Sequence, residues 1–204
     1  MSTGHTDIEG AAHRHAAAHG HADAERTAAG HTDAERADPA DLDTLRAAFR
    51  PELRRPPLGW AAVHAYEHEQ GVVLPEPYRT LVAEICDGSD EGPADIDGLI
   101  PLRRLPADWG ADDGQRAVGR EFPLTEAWLW EDDPRPYEEL EPLIDQVGND
   151  GSVVLGTDGC GLYWHLVVTG PQRGRIWAVG DVGAAPFEGD AGFADWVAHW
   201  AERR

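Results

Sequence analysis

The chain has 204 residues, 41% of them apolar, which suits one core-bearing domain plus an appendage. It carries 38 acidic residues against 17 basic ones, every basic residue is arginine, and the formal charge is −21. A field of that sign repels nucleic-acid phosphates and anionic lipid, so it argues against DNA, RNA and membrane-surface binding and favours a basic polypeptide.

Two cysteines, Cys86 and Cys160, are too few for a disulfide framework. No run approaches the roughly 18 apolar residues of a membrane span, and the N-terminus has no apolar core of signal-peptide type. The expectation is a soluble, cytoplasmic protein.

Residues 1–40 contain no Trp, Tyr, Phe, Leu or Val. They repeat: GHADAER at Gly20 to Arg26 returns as GHTDAER at Gly30 to Arg36. Without bulky apolar groups such a segment cannot offset its ordering entropy, so it reads as a disordered tail. It holds His5, His13, His15, His19, His21 and His31, a loose Zn²⁺ or Ni²⁺ binder at most, because nothing fixes a ligand geometry. No defined metal or cofactor site is expected.

The folded domain is placed at residues 41–204. DLDTLRAAFR opens on acidic capping residues and stops before Pro51, which predicts a short helix. GWAAVHAYEHEQG repeats Trp60, Val63 and Tyr66 or Glu67 at helical spacing, with Gly71 placed to end the helix. In LPEPYRTLVAEICDG, Pro75 and Pro77 open a third helix whose stripe is Tyr78, Leu81, Val82 and Ile85. DGSDEGPADIDG reads as a loop. From Leu99 to Leu143 the pieces LIPL, FPL and WLW read as short strands between loops. SVVLG, LYWHLVV and RIWAVGD are β-branched and aromatic, and TDGCG and TGPQRG between them are turn chemistry, which predicts an antiparallel meander. GFADWVAHWAERR sets Phe193, Trp196, Val197 and Trp200 on one face of a closing helix. Helices, then strands, then a helix make an α+β domain with a mixed or antiparallel sheet.

Catalytic motifs are absent. Cys160 and His165 invite a thiolate–imidazole reading, but five residues of strand alternation put them on opposite faces, or else Cys160 lies in the preceding turn. His64 and His68 share a helix face, yet HAYEH lacks the glutamate of a metalloprotease helix, and the face reads as exposed with Glu67 among its neighbours. Serine stands only at Ser2, Ser89 and Ser152, none in G-x-S-x-G. Lysine is missing, which removes Walker A and Schiff-base chemistry. The acidic loop misses the EF-hand spacing.

Acid interleaved with aromatics remains. One stretch supplies Asp87, Asp90 and Glu91; the other supplies Trp128, Trp130, Glu131, Asp132 and Asp133. Carboxylates that steer encounter, beside aromatics that give desolvated anchors, suit an interface for a basic protein.

The order of segments resembles the SUKH superfamily, the Smi/Knr-type domain. A Trp-bearing helix runs through Glu67 to Gly71; Leu74-Pro75 and Tyr78 open the next, which closes on Asp87-Gly88-Ser89. Gly156, Asp158-Gly159, the strand at Gly174-Arg175-Ile176-Trp177 and a terminal Phe193-x-x-Trp196 helix follow. The resemblance covers about residues 57–202. It implies an α+β domain without a shared catalytic site. Bacterial members are mostly immunity proteins that neutralise toxins, often nucleases, and fungal relatives are linked to control of cell-wall synthesis. The expectation is therefore a non-enzymatic immunity protein for a basic toxin. A regulatory scaffold like the fungal branch and an enzyme built on Cys160 are the alternatives.

Overall fold

Strands alternate their side chains, and the C-terminal third alternates large apolar groups on both faces, so both faces of its sheet need cover. The computed structural model describes residues 36–110, 116–188 and 191–204. It places this sheet at the centre of an α+β domain. Contacts divide the chain into Met1–Glu35 and Arg36–Arg204. The repeats and histidines read as a disordered tail lie outside the described residues, apart from Arg36 at their end.

Helix α1 (Pro39–Ala48) begins slightly before residue 41, because Asp38 caps it, accepting from the Ala40 N–H at 2.9 Å, and Pro39 takes the first turn. Helix α2 (Trp60–Gln70) ends at Gly71 with φ 69°, where glycine carries no Cβ penalty. Helix α3 (Tyr78–Thr80) continues as a π turn (Leu81–Ile85), closed by the Cys86 N–H on Leu81 O at 2.9 Å. The acidic stretch after it is a hairpin rather than a loop: β1 (Ser89–Ala94) pairs with β2 (Gly98–Leu99) across a bulge. Gly92 allows the approach, since a Cβ there would lie 2.4 Å from the Gly98 backbone.

Among the described residues between Leu99 and Leu143, none makes a strand beyond Leu99 itself. FPL is irregular, while WLW contributes one bridge at Trp128 and a 3-10 turn (Trp130–Asp132). Helix α4 (Tyr137–Asn149) follows, with Pro142 inside it. Strands β3 (Ser152–Gly159), β4 (Leu162–Val167), β5 (Ile176–Gly180) and β6 (Gly183–Pro186) form an antiparallel meander in chain order. Helix α5 (Phe193–Glu202) closes the domain, its Asp195 accepting from the Gly192 N–H at 2.9 Å.

One sheet face, with Leu155, Leu166 and Ile176, packs on α1, α2, α3 and α5 through Leu45, Val63, Leu81 and Trp196. The other face, with Val167, Trp177 and Val179, packs on Phe122 and on Leu140 and Val147 of α4. Each fully buried side chain of this size stabilises the fold by about 1.5–3 kcal/mol before entropy is counted. Both sheet edges are covered. Ile96 and Ile100 donate to Thr157 O and Leu155 O on the β3 side, and Trp128 exchanges two 2.9 Å bonds with Ala184 on the β6 side.

Glu67 departs from its expected exposed face. It is 6% exposed and accepts from the Leu74 N–H at 2.9 Å and from Arg79 Nε and Nη2 at 2.7 and 2.8 Å. This ion pair fixes the α2–α3 corner.

Candidate functional site: an acidic, aromatic cleft

The two acidic stretches lie at opposite edges of the sheet. The hairpin carrying Asp90 and Glu91 leads into the chain that borders β3, whereas Trp128 borders β6. They do not make one surface, and the first is largely consumed internally. Asp87 is buried and accepts from the Leu102 N–H at 2.8 Å; its loss of water raises its pKa against that hydrogen bond. Asp90 pairs with Arg55 at 2.8 Å, and Glu91 is shared by Arg50 and Arg204.

The second stretch stands beside an open cleft of about 690 Å³ on the α4 side of the sheet. Its tryptophans turn inward. Trp130 is 7% exposed and donates from Nε1 to Asp181 O at 2.6 Å. Trp128 is half-buried, 5.3 Å from Trp130, and donates to Asp133 Oδ2 at 3.0 Å. Arg135 stacks on Trp128 at 5.6 Å and forks onto Asp133 at 2.9 and 2.7 Å. That guanidinium holds the Asp133 carboxyl far below the usual carboxylate range. Asp133 and Arg135 thus cancel each other.

Glu131, Asp145 and Asp181 also line the cleft, are exposed, and have no ion pair among the described residues. Asp132 is exposed on the same turn. Each carboxylate comes from a different place: Glu131 from the 3-10 turn, Asp145 from α4, Asp181 from the β5–β6 turn. The apolar contribution at the rim is Val182 at 50% exposure, with Tyr137 open to solvent.

Beneath the rim are Trp109, Tyr163 and His165. Odd residues of β4 face this side, as the alternation requires, so Tyr163 and His165 share the floor. Trp109 stands edge-on to Tyr163 at 4.8 Å and lies 6.0 Å from the His165 ring. Arg116 stacks on Trp109 at 5.1 Å and donates to Gly148 O and Ser152 O, both at 2.7 Å. Burial brings the Arg116 pKa down to about 10, which leaves it cationic at neutral pH.

His165 is fully buried. Its Nδ1 meets Ser152 Oγ at 2.9 Å, and its Nε2 has no partner. Burial, reinforced by Arg116, holds its pKa well below the ordinary histidine value, so the ring is neutral. Ser152 Oγ already accepts from Arg116 Nη2 at 3.2 Å. Directing the buried hydroxyl hydrogen to Nδ1 pairs it, and places the imidazole hydrogen on Nε2. Asn149 Oδ1, also lining the cleft, is buried without a partner. Two residues that line the cleft therefore keep a buried polar atom without a partner, a donor on His165 and an acceptor on Asn149.

Cys160 takes no part with His165. It sits with Gly161 in the two-residue β3–β4 turn, exposed, at φ 52°. Three strand steps of about 3.3 Å separate Leu162 from the inward-facing histidine. The other thiol, Cys86, is buried and pushed up to about 11 by loss of water. His64 and His68 are exposed, and no group of three or more His, Cys, Asp or Glu among the described residues could hold a metal ion. No helix among them is long and apolar enough to cross a membrane.

Of the residues at this cleft, sequence reasoning named Trp130, Glu131 and Asp133 but not Asp145, Asp181, Trp109, Asn149 or Arg116. Trp109, Asn149, Asp181 and Arg116 stand in turns, in irregular chain or at a helix end, where periodicity carries no signal, and Asp145 stands on α4, a helix whose sequence reads as loop. The strand alternation did place Tyr163 and His165 together. Fold and site define an α+β domain with a negatively charged, aromatic-walled cleft on the α4 face of its sheet. Comparison with protein-family models, with curated proteins and with solved structures finds no match to the chain.

Proposed function

We propose that the chain is a cytoplasmic protein-binding module, an immunity protein that neutralises a basic toxin domain by covering its substrate cleft. The observation that carries this reading is the set of uncompensated carboxylates, Glu131, Asp145 and Asp181, around an open cleft that has aromatic walls. Such a field speeds encounter with a basic partner and disfavours nucleic acid. The segment order resembling the Smi/Knr-type domain supports the same reading. The chain acts by occupancy rather than bond chemistry, in keeping with the exposed Cys160 set apart from a neutral, buried His165.

The test is growth rescue. Each toxin gene adjacent to this one is expressed alone, with the chain, and with a Glu131→Lys, Asp132→Lys variant. Relief of lethality from one toxin by the chain, with protection lost in the variant, is the expected outcome. Equal protection by the variant, or no relief from any adjacent toxin, counts against the proposal.

A further inference from the structure

The cleft pairs two observations that point to one ligand chemistry. Its rim holds three carboxylates with no cationic partner among the described residues, drawn from three separate elements. Its floor holds a fully buried histidine whose Nε2 has no partner, and Asn149, which lines the same cleft, has a buried, unpartnered amide oxygen. Buried polar atoms left unpaired are costly, so a cleft lined by two of them is suited to a ligand whose groups satisfy both. A ligand with only cationic donors would leave the Nε2–H unmet. A ligand with one acceptor and one donor, joined to a cation, answers every group. A peptide unit next to an arginine has this composition. The guanidinium is planar, stacks on aromatic faces and forks onto carboxylates, and the cleft offers Trp109 and Tyr137 as walls and Asp145 and Asp181 as acceptors.

We propose that this cleft seats one arginine of the partner polypeptide, its guanidinium among the rim carboxylates and its neighbouring peptide group on His165 Nε2 and Asn149 Oδ1. This rests on the reading of the chain as a binder of a basic protein and specifies where that binding is centred. The floor gives direction to the docking: a neutral donor and a neutral acceptor discriminate a main-chain amide from water only when the chain lies in one orientation. The carboxylates supply attraction, and the floor supplies register.

The probe is the capped tripeptide acetyl-Gly-Arg-Gly-amide, with its lysine and glutamate counterparts as controls, titrated into the full chain and followed by NMR. The Trp109 indole N–H and the His165 Nε2–H are the reporters, and neither needs a substitution. Both should shift with the arginine peptide, less with the lysine peptide and not with the glutamate peptide. Asp145→Asn combined with Asp181→Asn should weaken arginine-peptide binding about fivefold, the size of two exposed ion contacts. Shifts confined to the rim, with His165 Nε2–H unmoved at saturation, would overturn the proposal. So would equal response to all three peptides. The rescue assay separates the two levels: if the Asp145→Asn, Asp181→Asn variant protects cells as well as the wild type, the seat is wrong while the immunity reading stands. If the peptide binds as described and no toxin is neutralised, the seat stands and the immunity reading fails.

Discussion

Protonating His165 would place a charge in a site that excludes water and already holds the Arg116 guanidinium. Its pKa is therefore depressed in the folded chain, while in the unfolded chain it returns to about 6.5. Below that value the unfolded chain binds a proton that the folded chain refuses, so stability is complete above about pH 6.5 and falls as the pH drops. The slope from this group approaches 1.4 kcal/mol for each unit, roughly one proton's linkage. Urea unfolding at pH 7.5 and 5.5 should show this loss in the wild type and not in His165→Gln, which keeps a polar side chain beside Ser152. An equal loss in both would mean that other groups carry the acid sensitivity. Glu67 shows how a buried polar group is met from inside the fold: Arg79 and the Leu74 N–H both donate to its carboxylate. Nothing in HAYEHEQG distinguishes Glu67 from exposed Glu69, because the partner, Arg79, arrives from the next helix.

At the scale of elements, the β3–β4 turn is the clearest case of local chemistry deciding geometry. Cys160 and Gly161 both have positive φ, 52° and 74°, the pattern of a type I′ turn that matches strand twist. Gly161 is favoured by its positive φ, and a Cβ there would also have to displace the exposed Asp181 carboxylate, whose Oδ1 would lie at 2.4 Å. Cys160 is the strained member, and asparagine tolerates this conformation better. Cys160→Asn should raise stability by about 0.5–1 kcal/mol in thermal unfolding and leave toxin protection intact. Loss of protection with gain of stability would revive a chemical role for the thiol. The meander, the closing helix and the three early helices were legible because each has its own periodicity and stop signal. Helix α4 was not, although Leu140, Ile144 and Val147 recur at helical spacing: Pro142 removes one hydrogen bond, and Pro134 and Pro136 just before the helix read as loop. Packing of that stripe against Val167 and Trp177 outweighs the proline. The β1–β2 hairpin was hidden for the converse reason. Ser, Asp, Glu, Gly and Pro have no strand preference, and the segment is ordered by the β3 edge it borders through Ile96 and Ile100.

For the whole molecule the sign of the charge decides how salt acts. A net charge of −21 on one chain makes the folded state repel itself, and unfolding relieves that repulsion by spreading the charges. Surface pairs such as Arg55–Asp90 and Arg103–Glu69 work the other way, but they are exposed and few beside the unpaired carboxylates. Repulsion should win. Raising NaCl shortens the screening length from about 30 Å at 0.01 M to about 10 Å at 0.1 M and 3 Å at 1 M. The urea midpoint should therefore climb steeply below about 0.1 M and then level off. The shape matters more than the rise, because salt exclusion from apolar surface also stabilises proteins but grows steadily with concentration. The same screening should slow capture of a basic partner over the same range, since attraction and self-repulsion arise from one field. A protein that grows more stable and binds more slowly in the same salt step carries its excess charge for encounter, at a cost to its own fold. A midpoint that falls with salt would instead assign the acidic surface to internal pairing, and would remove the electrostatic basis for a basic partner.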